Sequence, residues 1–312
     1  MIRALPLFAV IFAVLMWGMV PVAMRFLLLD VTPQQAVLLR LIPAGVIAAI
    51  AAVIAGVKPI AWRDWLRIVV AALFGNVAYQ ILAAFGMETV PASWTGMLFG
   101  LEPVFIALFA VAFAGDRLTP WLIAGLVLAL AGTGTLMFGS TVTESGEVTL
   151  WGIVLVTLST MGWGIYTVVI RPVSAKYGAF PVACLALGIS ALPIFVFVTP
   201  DVPEMLGRLT LMQWLASAFL AIFATILSTS AWNYALGHMK SAIAGMFLYV
   251  QPLVAACGGF LLLGESLSWP LAAGGALIIA GVALAQFGPL LRNPRPRRSH
   301  WSAEHEALKV PP

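Results

Sequence analysis

Glu102 is an acidic residue near the middle of an apolar stretch, residues 91–113. This stretch is long enough to cross a bilayer, since a membrane-spanning helix needs roughly 20 mostly apolar residues. A carboxylate at such a depth is costly and is typical of proton or ligand pathways. Glu102 could therefore bind a proton or the ammonium group of a ligand. The alternative is a structural acid that is protonated or hydrogen-bonded.

Proline follows Glu102 as Pro103, and it follows the polar Gln251 as Pro252. Proline removes an internal hydrogen bond of a helix and frees the carbonyl one turn back. Inside a membrane this carbonyl needs another partner, which could be a ligand or water. We predict that both prolines are hinges beside a cavity. A fixed packing kink is the alternative.

Trp17, Trp163 and Arg40 also lie within apolar stretches. Tryptophan usually lies at the membrane interface, so two deep indoles are candidates for stacking on an aromatic or cationic ligand. They could instead pack against the glycines that follow them. Arg40 could extend to the headgroups or bind a carboxylate.

Two polar stripes have the spacing i, i+3, i+4, i+7, which places their members on one helix face. One begins at Asn76 and the other at Thr225. Such faces point to protein or water rather than lipid, and interhelical hydrogen bonding is the alternative to a cavity. The predicted cavity residues are Trp17, Asn76, Tyr79, Gln80, Glu102, Trp163, Ser228, Thr229, Trp232, Tyr249 and Gln251.

Charge is scarce in this sequence of 312 residues. Charged residues make up 9%, against about 25% in soluble globular proteins, and 62% of residues are hydrophobic. A soluble enzyme, a nucleic-acid-binding protein and a disordered protein are excluded, because the outer surface must face lipid. The cysteines and histidines lack metal-ligand spacing, so we predict no metal or cofactor. Without a Walker sequence the chain does not itself use ATP.

The apolar stretches predict an all-α polytopic membrane protein with ten transmembrane helices. Lys and Arg concentrate in alternate loops and in the tail, which predicts that both termini are cytoplasmic in a bacterial-type inner membrane. The first stretch is too long for a cleaved signal peptide. The predicted spans are 5–28, 33–55, 65–87, 91–113, 119–138, 150–172, 180–199, 210–236, 241–263 and 269–290.

The two halves of the chain repeat each other at a nearly constant offset, which indicates an internal repeat. Each half contains five predicted spans, so the second half must run through the membrane in the opposite direction. We predict repeats at 1–139 and 140–290 around a central cavity, followed by a basic, disordered tail at 291–312. The matching positions include Trp17 with Trp163, Arg25 with Arg171, Gly96 and Met97 with Gly245 and Met246, Glu102 with Gln251, Pro103 with Pro252, the GDRLT turn at Gly115 with GESLS at Gly264, Gly125 with Gly274, and Gly132 with Gly281.

This pattern resembles the ten-helix EamA group of the drug/metabolite transporter (DMT) superfamily, and within it the YddG-type exporters of aromatic and other amino acids. The resemblance rests on the Trp-Gly pairs, the prolines and the Gly-acid-x-Leu-Thr/Ser turns. It implies a cavity between spans 1, 3, 4, 6, 8 and 9, with spans 5 and 10 as peripheral supports. It also implies export of a small molecule from the cytoplasm.

The sequence therefore predicts a secondary transporter that exports small metabolites, with amino acids favoured by the resemblance. The driving force is either the substrate gradient or protons. A channel-like or facilitative pore for a nucleobase, sugar or quaternary cation is the alternative, and a membrane-embedded lipid enzyme is a further one. Apolar surfaces that face lipid and those that face a second copy look alike, so the sequence predicts no oligomeric state.

Overall fold

The computed structural model describes residues 4–28, 30–56, 58–87, 89–90, 98–139, 149–263 and 269–291. All regular structure in these ranges is helical. The helices are α1 (Ala4–Gly18), α2 (Val20–Leu27), α3 (Pro33–Ala55), α4 (Trp62–Met87), α5 (Glu102–Ala114), α6 (Pro120–Gly139), α7 (Leu150–Tyr177), α8 (Ala179–Ile194), α9 (Val202–Arg208), α10 (Leu211–Leu236), α11 (Ser241–Met246), α12 (Gln251–Leu263) and α13 (Trp269–Leu291).

Several sequence predictions fall outside the described residues. They are the matched positions Gly96 and Met97, the start of the second repeat at residue 140, the whole GESLS turn and all but the first residue of the predicted tail.

Within the described residues, six helices are long and apolar enough to cross a membrane by length and composition: Ala4–Met24, Pro33–Ala55, Trp62–Met87, Leu150–Tyr177, Ala179–Phe197 and Leu211–Leu236. They coincide with predicted spans. Shorter apolar helices occupy the remaining predicted spans, at Glu102–Ala114, Pro120–Thr135, Ser241–Ala255 and Ala272–Gly288. The short helix α9, between α8 and α10, was not predicted.

Many large apolar side chains are exposed at the surface, and several polar side chains are buried within a mostly apolar interior. Val53, Ile54 and Trp269 are at least 80% exposed, whereas Thr167 and Asn233 are fully buried. An exterior of this kind is suited to contact with hydrocarbon chains.

Helices α6 and α13 pack through glycines, and the contacts are reciprocal. A Cβ at Gly125 would lie 2.6 Å from the carbonyl oxygen of Gly281, and one at Gly132 would lie 2.7 Å from that of Gly274. The two helices therefore run antiparallel. Because the repeat matches Gly125 with Gly274 and Gly132 with Gly281, each contact becomes the other when the halves are exchanged.

A second matched pair, α3 and α8, also packs antiparallel. Along α3 and α8, Gly45 meets Ala191 and Gly188 meets Ala49. Small residues at these positions let the backbones approach closely, as is usual between membrane helices.

A polar cluster joins the start of α4 to the end of α7. The buried carboxylate of Asp64 accepts hydrogen bonds from Lys176 Nζ at 2.8 Å and from the Tyr177 hydroxyl at 2.9 Å. Gln213 has the same place in α10, the third residue of the helix, and its Nε2 donates to Asp30 at 2.6 Å. The two contacts thus occupy matching positions in the two halves, with donor and acceptor exchanged.

We expect Asp64→Asn to lower the apparent Tm by about 2–4 °C, because the asparagine amide lacks the charge that Lys176 pairs with. Thermal unfolding of the detergent-solubilised protein measures the change. Glu204→Gln is the matched control, since Glu204 and its partner Arg208 are both largely exposed and exposed pairs contribute little to stability. Equal Tm values for Asp64→Asn and the wild type would contradict this role for the cluster.

Candidate functional site

A cavity of about 160 Å³ lies between α1, α2, α3, α4, α5, α7, α10 and α12. Both halves of the chain contribute to its wall. The predicted cavity residues that line it are Trp17, Asn76, Tyr79, Gln80, Glu102, Trp163, Thr229 and Gln251. Their roles in binding or transport stay predictions.

Three tryptophans form one aromatic cluster, and two of them, Trp17 and Trp163, line the cavity. The ring centroid of Trp17 lies 5.2 Å from that of Trp163 and 5.4 Å from that of Trp232. Trp163 also stacks on Tyr166 at 4.9 Å, with an angle of 9° between the planes. Aromatic pairs at these distances attract one another beyond simple burial, so the cluster gives the cavity a rigid apolar side.

The indole N–H groups of this cluster differ in their bonding. Trp17 Nε1 donates to the carbonyl oxygen of Ala224 at 2.8 Å and so links α1 to α10. The Nε1 atoms of Trp163 and Trp232 are buried and have no hydrogen-bond partner among the described residues. Such a group is costly to leave unpaired, and Trp163 lines the cavity.

Glu102 lies at the cavity wall with its carboxylate buried. The Tyr79 hydroxyl donates to Glu102 Oε1 at 3.0 Å. Tyr79 in turn packs against Phe99, with ring centroids 5.9 Å apart, and against Trp163 at 5.8 Å. The acid is thus held by one hydrogen bond at the edge of the aromatic side.

Arg40, for which the sequence left open a carboxylate-binding role, also lines the cavity, although it was not among the predicted cavity residues. The side chain of this α3 residue is half-buried, and its Nε donates to Thr225 Oγ1 of α10 at 3.0 Å. Its place within an apolar stretch was the only signal in the sequence. Phe99 and Thr225 also line the cavity without having been predicted as cavity residues, although Thr225 begins the second stripe.

Helices α4 and α10 widen into π-helical turns beside the cavity. The wide segments, Ala72–Ala78 and Phe219–Leu227, contain Asn76 and Thr225. In α10 the Thr225 hydroxyl donates to the carbonyl oxygen of Leu220, five residues back, at 2.8 Å. Such turns are frequent at functional sites, and here they occur at matching positions of the two halves.

The two predicted hinge prolines lie at helix starts and not in mid-helix. Pro103 is in the first turn of α5, after a turn in which the Leu101 N–H donates to the Leu98 carbonyl. Pro252 is in the first turn of α12, after a tight 3-10 turn at Phe247–Val250. Proline suits a first turn because the N–H it lacks would have no partner there. The break in each helix fits a hinge, and its movement stays a prediction.

Three other predicted residues do not line the cavity. Ser228 is fully buried and donates to the carbonyl oxygen of Phe223 at 2.6 Å. Trp232 packs behind Trp17 and Trp163. The Tyr249 hydroxyl is buried and has no hydrogen-bond partner among the described residues.

Comparison with known proteins finds the EamA-like transporter family over residues 4–138 and 150–287. The chain is 33% identical over 78% of its length to a probable terminal-alkyne amino-acid exporter of Streptantibioticus cattleyicolor, covering 81% of that protein. It is 28% identical over 94% of its length to the uncharacterised inner membrane transporter YedA of Escherichia coli, covering 95% of that protein.

A solved crystal structure shares the fold. It superposes with a TM-score of 0.76 over 93% of this chain and 100% of its own, at 23% sequence identity. Together with the family match, this confirms the prediction of an all-helical, multi-pass membrane protein with two repeats of the DMT superfamily type, and it excludes an enzyme. The chain therefore belongs to the EamA-like transporter family.

Proposed function

We propose that this transporter exports amino acids, with neutral and aromatic ones preferred, as the YddG-type exporters do. The observation that carries the proposal is the cavity shared by the two halves. It combines an aromatic side with one carboxylate, Glu102, and one guanidinium, Arg40. A cavity of about 160 Å³ is smaller than the roughly 300–1,000 Å³ typical of ligand pockets, which favours a small metabolite.

The relative in Streptantibioticus cattleyicolor supports the same substrate class, because it is described as a probable amino-acid exporter. The likeness to YedA, described as an inner membrane transporter, supports a place in the inner membrane. The excess of Lys and Arg in alternate loops supports cytoplasmic termini.

The transport cycle that we propose is alternating access. Ten membrane-crossing helices form two inverted repeats of five, with domains at 1–139 and 140–290 and a basic cytoplasmic tail. The antiparallel packing of matched helices supports this arrangement, because halves of opposite orientation can exchange conformations around a fixed site. The helix breaks before Glu102 and Gln251 are the places where we expect each half to bend.

Proteoliposomes loaded with a panel of amino acids test the proposal. We expect aromatic and neutral amino acids to leave faster than from protein-free liposomes, with efflux that saturates and is stimulated by unlabelled substrate outside. The variant Glu204→Gln, altered on an exposed helix, serves as the control and should match the wild type. If no amino acid leaves faster than from protein-free liposomes, the substrate assignment is wrong. Flux without saturation or stimulation would indicate a channel.

A further inference from the structure

We infer that Arg40, positioned by Thr225, is the anchor for the carboxylate of the transported molecule, so that the cavity selects zwitterions over simple amines. This inference rests on the proposed function, because it assigns a binding role within the same cavity. It adds a specificity-determining residue to the cavity that Glu102 also lines.

The position of Arg40 favours binding over extension to the membrane surface. Its Nε donates to Thr225 Oγ1 at 3.0 Å, and the Thr225 hydroxyl in turn donates to the carbonyl oxygen of Leu220. Nε is therefore fixed by a hydroxyl that the π-helical turn of α10 orients. The two terminal nitrogens of Arg40 have no hydrogen bond among the described residues, and a planar guanidinium suits a carboxylate.

Unpaired donors at the same wall point to an acceptor that is supplied from outside the chain. Asn76 Nδ2 and Trp163 Nε1 have no hydrogen-bond partner among the described residues. Both residues line the cavity with Arg40, and both are more than nine-tenths buried. Buried donors of this kind are rare in native proteins and need a partner. A carboxylate offers several acceptor positions to such donors.

The acceptor is not Glu102. No ion pair joins Arg40 to Glu102 in the described part of the chain, although both residues line the cavity. Glu102 Oε1 instead accepts from Tyr79 at 3.0 Å. The cavity thus presents a cation and an acid that are not paired with each other. A molecule with a carboxylate and an ammonium group complements both, and the tryptophans leave an apolar surface for its side chain.

Transport assays that compare each amino acid with analogues lacking one of its two charged groups test the assignment. The probes are phenylalanine with phenethylamine and 3-phenylpropanoate, and leucine with isoamylamine and 4-methylpentanoate. We expect the wild type to export the amino acids and to be inhibited weakly by the amines. Arg40→Gln should raise the KM for the amino acids roughly 10- to 100-fold, as the loss of a charge-assisted hydrogen bond implies. It should also reduce the preference for amino acids over amines.

Two further variants separate binding from folding. Arg40→Lys keeps the charge but not the planar fork, so we expect a KM between those of the wild type and Arg40→Gln. Thr225→Val keeps the side-chain shape but loses the bond to Nε, and we expect a KM several-fold above that of the wild type. Arg208→Gln, changed on the exposed helix α9, is the control and should not alter KM or preference.

The outcomes distinguish this inference from the proposed function. If the wild type exports neither phenylalanine nor leucine nor any other amino acid, the proposed function is wrong and so is this assignment. If the wild type exports amino acids but Arg40→Gln and Thr225→Val retain its KM and its preference over amines, only the anchor role is overturned. Should Arg40→Gln fail to fold, Thr225→Val decides by the same criterion.

Discussion

Replacing Glu102 with glutamine is expected to slow substrate efflux roughly 10- to 100-fold and to remove its response to a proton gradient. Glutamine has the same shape but can neither release a proton nor carry a negative charge. The Tyr79 hydroxyl can still donate to the amide oxygen at this position, so the local packing should persist. A loss of efflux rate in this variant would therefore reflect the missing charge and not a change in the fold.

Efflux from proteoliposomes at several external pH values measures the effect. The titratable and charged groups that line the cavity with Glu102 are Tyr79 and Arg40. Tyr79→Phe leaves the acid in place, so we expect it to retain a pH response and to lose only part of the rate. The matching residue of the second half, Gln251, cannot titrate, so any proton coupling at these two positions would depend on Glu102 alone.

Unchanged rate and pH dependence in Glu102→Gln would remove both proposed roles of this acid. A reduced rate with an unchanged pH response would leave Glu102 as a binding residue and assign proton coupling elsewhere. Glu204→Gln, on the exposed helix α9, should behave as the wild type in the same assay.

Replacing Gly132 with alanine is expected to destabilise the contact of α6 with α13 by about 1–3 kcal/mol, the usual cost of overpacking. The new Cβ would lie 2.7 Å from the Gly274 carbonyl oxygen and 2.9 Å from the Ile278 nitrogen. Both are backbone atoms, so no side-chain rotation can relieve the contact and the helices must separate.

Gly134 supplies the matched control on the same helix, because a Cβ there would meet nothing within 4 Å. Thermal unfolding in detergent should give a lower apparent Tm for Gly132→Ala than for Gly134→Ala. Equal Tm values in the two variants would contradict the close approach of α6 and α13.

Much of the fold followed from local patterns in the sequence. An apolar stretch has to satisfy its backbone internally as a helix when it lies in lipid, so the predicted stretches coincide with helices. Asn76, Tyr79 and Glu102 could be predicted as interior residues for a similar reason, since a polar side chain on a membrane helix avoids the lipid side. The repeat identified the matching glycines of α6 and α13, but it did not show which glycine of one helix contacts which glycine of the other.

The two polar stripes show where local patterns stop. Spacing places Thr225, Ser228, Thr229 and Trp232 on one face of α10. The structure has Thr225 and Thr229 at the cavity, whereas Ser228 is buried away from it and Trp232 packs behind Trp17. The rotation of a helix against its neighbours decides between these outcomes, and periodicity alone does not determine that rotation.

Thus the sequence alone determined the membrane class, the helical stretches and the internal repeat, and it singled out Glu102 as a candidate. These features depend on hydrophobicity and on spacing along one chain segment. Only the tertiary structure decided that Arg40 reaches Thr225 across two helices, that prolines begin helices at the cavity, and that Asn76 and Trp163 keep unpaired donors there. These depend on contacts between residues far apart in the chain, which form only when the helices pack together.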